Sequence, residues 1–390
     1  MQASSSGTPP APTSPPETVR AEATGIAFAA SPPDQRNAYH PSLTVLSERE
    51  WFVSFDLGTS TETLDYHTRG VRTLDGGQTW TDEGPLVVKP AGPPTTHTIR
   101  TRRLGGQRLL GFGKWEDRLG YETHRSNRET LGQVPMKLFW IESLDGGRKW
   151  SVPHWIEPPL VGPTWELCHA IIQLPDGNWA APVATWRDWS GASPNSEQSG
   201  LLMSADGGAT WPRFVSTFDG RKTGYIHWEQ SVTVRRDRSL LATAWVYDPK
   251  SRETKSSVFV VSGDGGKTFG PPTPTGFLAQ TCKVIELESG KMVAAYRRHD
   301  RPGLWVELAA VDASGWRTER RGLLWGGAES GMAGKASTAE ELNTLRFGFP
   351  SLAALDNGHV LLAFWGTHGK QTAIHWVRFD PATLPIPPGG

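Results

Sequence analysis

Four copies of one eight-residue motif constrain this chain more than any other feature. The motif is Ser/Thr-x-Asp-Gly-Gly-x-x-Trp/Phe, and its copies are Thr73–Trp80, Ser143–Trp150, Ser204–Trp211 and Ser262–Phe269. Their aspartates are 70, 61 and 58 positions apart. Self-similarity at such a period is the signature of a repeat architecture, so we expect one structural unit to recur along the chain.

Each copy of the motif has the chemistry of a tight turn between two strands. Asp-Gly between β-rich segments is a strong hairpin signal, and the glycines adopt positive φ without a steric penalty. The Asp and Ser/Thr oxygens can accept hydrogen bonds from the amides of the turn. The final aromatic ring supplies apolar surface for packing. Because these roles account for every position, we expect the motif to stabilise the fold rather than to contact a ligand.

The motif resembles the Asp box of the sialidase superfamily. Members of that superfamily are six-bladed β-propellers with four antiparallel strands in each blade. The resemblance therefore implies an all-β, six-bladed β-propeller whose third and fourth strands are joined by Asp-box turns. Four good copies are specific for that fold, but they do not specify one activity.

The chain contains six pairs of apolar segments that fit six blades. The first segments of these pairs open at His40, His97, Cys168, Glu229, Thr281 and Phe349. A β-rich segment at residues 25–29 is left over near the N-terminus, and we expect it to complete the sixth blade and close the ring. The two cysteines, Cys168 and Cys282, fall in different blades, so we expect free thiols.

Composition excludes some classes of function and sets the domain limits. The chain has 40 basic and 40 acidic residues, which leaves no electrostatic footprint for nucleic acid, and it has no apolar run long enough to span a membrane. Residues 1–22 are rich in Ser, Pro, Thr and Ala and are expected to be a disordered leader without a signal core. A secreted or periplasmic location would require that a signal peptide had been removed. Residues 23–385 are expected to form the propeller domain.

The predicted topology places candidate site residues on one face of the ring. The Asp boxes join the third and fourth strands and therefore share one face. The starts of the first strands and the loops after the second strands meet on the opposite face, where the candidate residues lie. A funnel lined by charged and aromatic groups near the axis is the default binding site. The 18 tryptophans of the chain favour a carbohydrate ligand. The candidate substrate-binding residues are His40, His97, Glu166, His169, Arg297, Arg298, Arg301 and Arg346.

The resemblance to sialidases covers only part of their catalytic residues. The segment from Cys282 to Arg297 resembles a family segment whose arginine binds the substrate carboxylate, a task that suits a bidentate guanidinium. The first arginine of the family is replaced here by Tyr39 or His40. Thr281 stands where a glutamate is expected, and Phe349 stands where the family has a tyrosine nucleophile. Phenylalanine cannot act as a nucleophile.

Two carboxylates are the candidate catalytic residues. Asp65 best matches the acid/base aspartate of the family by its distance to the first Asp box, with Asp56 as the next choice. The alternative for Asp65 is a solvated loop carboxylate. Glu229 opens an innermost strand near the axis, where a carboxylate is rarely idle unless it is ion-paired, although its partner strand ends in Trp245 rather than in an arginine.

Histidines recur once per blade on the predicted site face. Such residues can act as acid or base on a sugar, or can bind a metal. No close metal-ligand spacing occurs in the sequence, so we predict neither a metal nor a cofactor. The six histidines are His40, His97, His169, His227, His299 and His368.

The sequence is compatible with three functions. The first is a sialidase-like exo-glycoside hydrolase that removes a terminal, acidic sugar from a glycan, with Arg297 on the carboxylate and with Glu229 and Asp65 as base and acid. The second is a polysaccharide lyase on uronic-acid glycans, with histidine and Tyr39 or Tyr247 as base and acid. The third is a non-catalytic, carbohydrate-binding propeller. In all three, the expected partner is a glycan.

Overall fold

The structure is a computed structural model that describes residues 18–387, except 32, 33, 35, 161, 163, 299, 327–344 and 370, and except the side chain of residue 368. It confirms the six-bladed, all-β propeller. Six antiparallel sheets follow one another around a central axis, and the innermost strand of each blade contacts those of its two neighbours. In this part of the chain, no helix is long and apolar enough to cross a membrane.

The first three blades run from the innermost strand outwards in chain order. Blade three differs because its innermost strand is divided into two short pieces, which both pair with the next strand. The strands are β2 (Asn37–Val45), β3 (Trp51–Gly58), β4 (His67–Thr73) and β5 (Thr81–Pro85) in blade one, β6 (Thr95–Gly105), β7 (Arg108–Asp117), β8 (Met136–Ser143) and β9 (His154–Ile156) in blade two, and β10 (Thr164–Glu166), β11 (Ile172–Gln173), β12 (Trp179–Trp186), β13 (Gln198–Ser204) and β14 (Arg213–Asp219) in blade three.

The last three blades follow the same order, with a short helix α1 (Gly220–Thr223) before blade four and a 3-10 helix (Pro381–Thr383) after blade six. The strands are β15 (Ile226–Val234), β16 (Leu240–Asp248), β17 (Glu253–Ser262) and β18 (Thr273–Pro274) in blade four, β19 (Gln280–Glu286), β20 (Met292–Arg298), β21 (Gly303–Asp312) and β22 (Gly315–Trp325) in blade five, and β23 (Phe347–Ala354), β24 (Val360–His368), β25 (Gln371–Phe379) and the N-terminal β1 (Ala23–Phe28) in blade six.

The N-terminal strand closes the ring, as the sequence predicted. Strand β1 pairs antiparallel with β25 and forms the outer edge of blade six, so the two ends of the chain share one sheet. Of the expected leader, residues 1–17 lie outside the described residues. Thr18 already pairs with Leu323 of blade five, and Glu22 donates its N–H to the carbonyl of Arg378.

Among the described residues, the hydrophobic core is divided into seven clusters, each between two neighbouring blades, and two of them lie between blades three and four. The cluster between blades six and one contains Trp51 and Trp376, whose rings meet edge to face at 5.3 Å. Because every blade buries one face of its sheet against each neighbour, no blade has a complete core of its own. Both cysteines are free thiols.

The Asp boxes have the turn structure that their residue types predict. In the third copy, Ser204 Oγ accepts the Gly208 N–H at 2.8 Å, and Asp206 accepts the Thr210 N–H at 2.9 Å. The Trp211 ring is buried, and its Nε1 donates to the Gly208 carbonyl at 3.1 Å. Trp140 of the preceding blade donates to the same carbonyl at 3.0 Å. The turn therefore also ties neighbouring blades together.

We predict that Gly77→Ala destabilises the protein more than Gly76→Ala. Both residues have positive φ, which costs an alanine about 1–2 kcal/mol. A Cβ on Gly77 would also lie 2.5 Å from the Trp376 ring, whereas a Cβ on Gly76 meets nothing. Overpacking adds about 1–3 kcal/mol. Thermal unfolding followed by tryptophan fluorescence checks this order, and equal losses in the two variants would contradict it.

Candidate functional site

Four innermost strands share an unusual backbone conformation near their start. His40, Glu229, Thr281 and Phe349 have φ between 48° and 53°, in the left-handed region that non-glycine residues rarely adopt. At each of these positions the pairing with the second strand shifts register, which marks a β-bulge. The bulge interrupts the strand at the same level in blades one, four, five and six. Backbone outliers of this kind cluster at functional sites.

Two cavities lie on the axis, and one of these four residues, Phe349, lies between them together with Arg100 and Cys168. The front cavity, of about 400 Å³, opens on the face away from the Asp boxes and is lined by His40, Glu229 and Phe349 among others. The rear cavity, also of about 400 Å³, is lined by the later halves of the innermost strands. Arg100, Cys168 and Phe349 line both cavities.

In the layer between the cavities, two cationic side chains contact one aromatic ring. The guanidinium carbon of Arg100 and the Nζ of Lys283 each lie 4.9 Å from the centre of the Phe349 ring. Lys283 Nζ also donates to the carbonyl of Cys168. Cation–π contacts of this kind strengthen when they are desolvated. We call this layer, Arg100, Cys168, Lys283 and Phe349, the floor of the front cavity.

Two glutamates meet immediately above the floor. The backbone N–H of Glu229 donates to Glu166 Oε2 at 3.1 Å, and Cys168 Sγ donates to Glu166 Oε1. Thr281 Oγ1 donates to Glu229 Oε2. Burial, followed by the charge of Glu229, raises the pKa of Glu166 above its ordinary value. The cavity thus holds a carboxyl group that stays protonated to higher pH than a solvated glutamate.

A buried ion pair holds His40 at the wall of the front cavity. Asp56 is fully buried and accepts from Arg100 at 2.9 Å, while His40 Nδ1 lies 3.2 Å from Asp56 Oδ2 and 2.9 Å from the Tyr66 hydroxyl. Burial opposes the charge on Asp56, but Arg100 and then His40 hold the pKa of this carboxyl well below its usual range. Burial lowers the pKa of His40, so its imidazole is neutral at pH 7.

A second ion-pair group lines the adjacent wall, where the Arg125 guanidinium lies over the Tyr66 ring and a long loop at residues 118–135 folds over the cavity. Glu116 is buried and accepts from Arg125 at 2.5 Å and lies 3.2 Å from Lys114. Burial alone would raise the pKa of Glu116, but Arg125 and Lys114 outweigh it and lower the pKa to about 2. The loop is held by Arg125, whose N–H donates to Glu62 at 2.7 Å.

Aromatic side chains form one wall of the front cavity. Trp228 is partly exposed and stacks on Tyr247 with 5.1 Å between ring centres, and Trp245 and Trp186 pack against it at 4.7 and 5.4 Å. These three supporting rings are buried. Trp228 directly precedes Glu229, so a flat apolar surface adjoins the carboxyl pair. Large rings with one accessible face suit the apolar face of a sugar.

The front cavity brings together three of the residues that the sequence singled out, namely His40, Glu166 and Glu229. Asp65 lies outside its lining, in a loop where the carboxylate accepts from the Thr59 N–H at 2.9 Å. His97 is fully buried and stacks on Trp115 at 5.2 Å. His169 lines the rear cavity instead. Asp65 lies in the loop between β3 and β4, His97 belongs to β6 of blade two, and His169 lies between β10 and β11, so none of the three occupies a bulge position.

The four predicted arginines lie outside the lining of the front cavity. Arg297 is buried behind the carboxyl pair, where its guanidinium donates to Gln280 Oε1 at 2.7 Å and to the Phe347 carbonyl at 3.2 Å. Burial lowers the pKa of Arg297 to about 10, against the opposing charge of Glu229. Arg298 is paired with Asp300, and Arg301 and Arg346 are exposed.

The histidines do not converge on one point. His227 is buried against Phe218, and the placement of His299 and of the His368 side chain lies outside the described residues. Within the part of the chain that the structure describes, no three His, Cys, Asp or Glu side chains are grouped to hold a metal ion.

Several residues of the cavity were missed by the sequence analysis. Charged residues inside otherwise apolar strands were an available signal for most of them, because a charge in such a strand needs a buried partner or a cavity. Arg125 gave no such signal, since it belongs to an irregular loop. The missed residues are Arg100, Glu116, Arg125, Trp228 and Lys283.

The ring of six four-stranded blades with Asp-box turns defines the propeller class of the sialidase superfamily. A family model described as a BNR repeat-like domain matches residues 118–362, and the chain belongs to this family. The prediction of a sialidase-superfamily repeat protein is therefore confirmed. Among curated proteins, no significant match to this chain was found.

Solved structures share the fold of this chain at low sequence identity. A protein of unknown function from Dyadobacter fermentans has a TM-score of 0.68 and 18% identity over 95% of this chain and 99% of its own. The leech intramolecular trans-sialidase, solved with 2,7-anhydro-Neu5Ac, has a TM-score of 0.66 and 13% identity over 94% and 71%. The Trypanosoma rangeli sialidase has a TM-score of 0.59 and 16% identity over 92% of this chain and 58% of its own. These similarities establish the fold.

We predict that Asp56→Asn destabilises the protein by about 3–5 kcal/mol, because it leaves Arg100 as a buried charge without its partner. The control is Glu253→Gln, which removes the exposed ion pair with Lys255 and should cost no more than about 1 kcal/mol. Urea unfolding at neutral pH measures both. A loss for Asp56→Asn no larger than the control would show that the pair contributes little.

Proposed function

We propose that the protein is a glycoside hydrolase that removes a terminal sugar from a glycan, with Glu166 as general acid and Glu229 as general base. The observation that carries this proposal is the contact between the two glutamates at the base of a cavity with an aromatic wall. Glycosidases use two carboxyl groups whose surroundings give them different protonation states. Burial supplies that difference for Glu166.

The reaction requires a proton donor on one side of the bond and a base on the other. Glu166 gives its proton to the glycosidic oxygen, the bond to the anomeric carbon breaks, and the leaving group keeps the bonding electrons as an alcohol. Water adds to the anomeric carbon and gives its proton to Glu229. Thr281 and Arg297 support the charge on Glu229, the first by a hydrogen bond and the second by its neighbouring charge.

In this proposal Glu166 takes the acid role that the family resemblance assigned to Asp65. Asp65 accepts hydrogen bonds from Thr59 and Thr63 within its own loop, and these bonds help to lower its pKa. A carboxylate held in the charged form by its loop is a poor proton donor. Glu166 has the opposite environment, and it lines the cavity.

The charges of the front cavity favour a neutral sugar over the acidic sugar that the sequence suggested. Arg100 and Arg125 already face the carboxylates of Asp56 and Glu116. A substrate carboxylate would have to compete with these buried partners. The exposed face of Trp228 offers instead an apolar surface beside Glu229.

The second candidate is a lyase acting on uronic-acid glycans, and the held imidazole of His40 favours it. Asp56 and Tyr66 engage Nδ1, and Nε2 has no hydrogen-bond partner among the described residues. A neutral imidazole oriented by a carboxylate is a suitable base for a carbon-bound proton. This reaction would break the glycosidic bond by elimination and leave an unsaturated sugar that absorbs ultraviolet light.

We predict that Glu166→Gln and Glu229→Gln each lower kcat/KM on a responsive aryl glycoside by about 100-fold or more, because each removes a proton-transfer group. The substrate panel contains neutral glycosides, a sialoside and uronides. In the active enzyme, kcat/KM should remain high at pH values above the ordinary glutamate pKa. It should then fall as the pH rises through the raised pKa of Glu166. In Glu166→Gln this alkaline limb should vanish.

The matched control is Glu122→Gln, an exposed glutamate on the loop after β7, which should keep full activity. Aryl groups of low pKa need no protonation when they leave, so they should restore part of the activity of Glu166→Gln but not of Glu229→Gln.

Growth of ultraviolet absorbance on a uronic-acid polymer, lost in His40→Ala, would favour the lyase. Sugar binding without turnover of any substrate would favour a binding propeller.

We predict that Trp228→Ala raises KM on the responsive substrate by about 2- to 13-fold with a smaller change in kcat. This range corresponds to about 0.5–1.5 kcal/mol, the contribution of one aromatic ring contact. The control is Trp155→Ala, since Trp155 is an exposed tryptophan on the outer strand of blade two, far from the cavity lining. Steady-state kinetics check the split, and an unchanged KM would remove Trp228 from the binding surface.

A further inference from the structure

The rear cavity is a second cavity on the axis, and the proposed hydrolysis does not use it. It has about the same volume as the front cavity, about 400 Å³, which is within the range of small-molecule sites. The floor separates the two, and the rear cavity is bounded by the later halves of the innermost strands. Its charged lining residues are Arg100, Arg102, Arg103, Arg236, Lys283 and Glu286, with His169 beside them.

Positive charge dominates this lining. Glu286 is the one acidic residue among the lining residues described, and it already lies near Arg235, with 3.7 Å between Oε1 and Nε, and accepts the Arg236 N–H. Arg103 donates to the carbonyls of Val45 and Gly106. Arg100 is paired with Asp56, whereas Arg102 and Arg103 have no carboxylate partner among the described residues.

Arg102 is the least compensated of these cations. Its side chain is exposed to the solvent of the rear cavity, and it has no carboxylate partner among the described residues. A guanidinium remains charged in proteins and binds oxyanions through two parallel hydrogen bonds. Arg102 is therefore free to bind an anion that enters this cavity.

Neighbouring groups show the same positive potential and offer a further donor. Burial, followed by the charges of Lys283 and Arg102, lowers the pKa of His169 well below its ordinary value. Thr44, on the cavity wall, is 2% exposed, and its hydroxyl has no hydrogen-bond partner in the described structure. Buried hydroxyl groups are almost always paired, so an unpaired one at a cavity wall calls for an explanation.

We propose that the rear cavity binds a phosphate or sulfate group, either as the free ion or carried by a small ester, with Arg102 as its principal ligand. The site is distinct from the carboxyl pair, because the floor lies between them. The inference does not depend on the proposed hydrolase activity. It rests on the excess of positive charge in the lining, the cavity volume, the unpaired hydroxyl of Thr44 and the position of Arg102.

The test measures the binding of four probes to the full chain by calorimetry and by thermal shift. The probes are inorganic phosphate, inorganic sulfate, glucose 6-phosphate and glucose 6-sulfate, with glucose and with sodium chloride at matched ionic strength as blanks. We expect at least one probe to bind, and Arg102→Gln to weaken it by about tenfold or more, since a charge-assisted bidentate contact is lost. Arg102→Lys should retain part of the affinity because it keeps the charge.

The matched control is Arg317→Gln, an exposed arginine on the outer strand of blade five that should leave binding unchanged. Affinity for an ester alone, or for the free ions alone, identifies the source of the oxyanion and supports the site in either case. No binding of any probe, or equal binding by Arg102→Gln and the unaltered protein, overturns the proposal. Arg102→Gln should hydrolyse glycosides normally, so a failure of one proposal leaves the other intact.

Discussion

The candidate site depends on a backbone bulge that recurs near the start of four innermost strands. Positive φ at a non-glycine residue costs about 1–2 kcal/mol, and a β-branched residue such as Thr281 is especially unfavourable there. The bulge at Glu229 also releases its N–H from the regular ladder, and that N–H is the one that donates to Glu166. The same strained backbone at Glu229 therefore supplies the amide that binds the Glu166 carboxyl group. The core clusters between the blades hold this strained backbone in place.

The electrostatics of the front cavity follow from how its cations are paired. Asp56 and Glu116 are the acids with close cationic partners, Arg100 and Arg125, and their pKa values are held low. Glu166 has no comparable partner. Its neighbours are a thiol, a backbone amide and a second glutamate, and the charge of Lys283 does not outweigh burial, so its pKa rises. One cavity can therefore contain ionised structural carboxylates beside one protonated carboxyl group, which is the division of roles that acid catalysis needs.

The fold could be predicted from the sequence because turn chemistry is local. Asp-Gly-Gly with a following aromatic residue specifies its turn within eight positions, and strand pairs between such turns leave little choice of topology. The site could be predicted only in part, because side chains at the axis come from different blades. Glu229 was found because it opens a strand, whereas Asp65 was chosen by its distance along the chain, and that distance does not report which face a side chain takes. Arg125 could not be found, since its loop has no periodic pattern.

Phe349 shows how one position of the fold can serve a different purpose. The family resemblance places a tyrosine nucleophile there, but the ring in this chain contacts two cations, Arg100 and Lys283, and forms part of the floor between two cavities. Lys283 is close enough to Glu166 to oppose the rise of its pKa, and close enough to His169 to help lower the pKa of that imidazole. A single buried cation on the Phe349 ring therefore acts on groups on both sides of the floor.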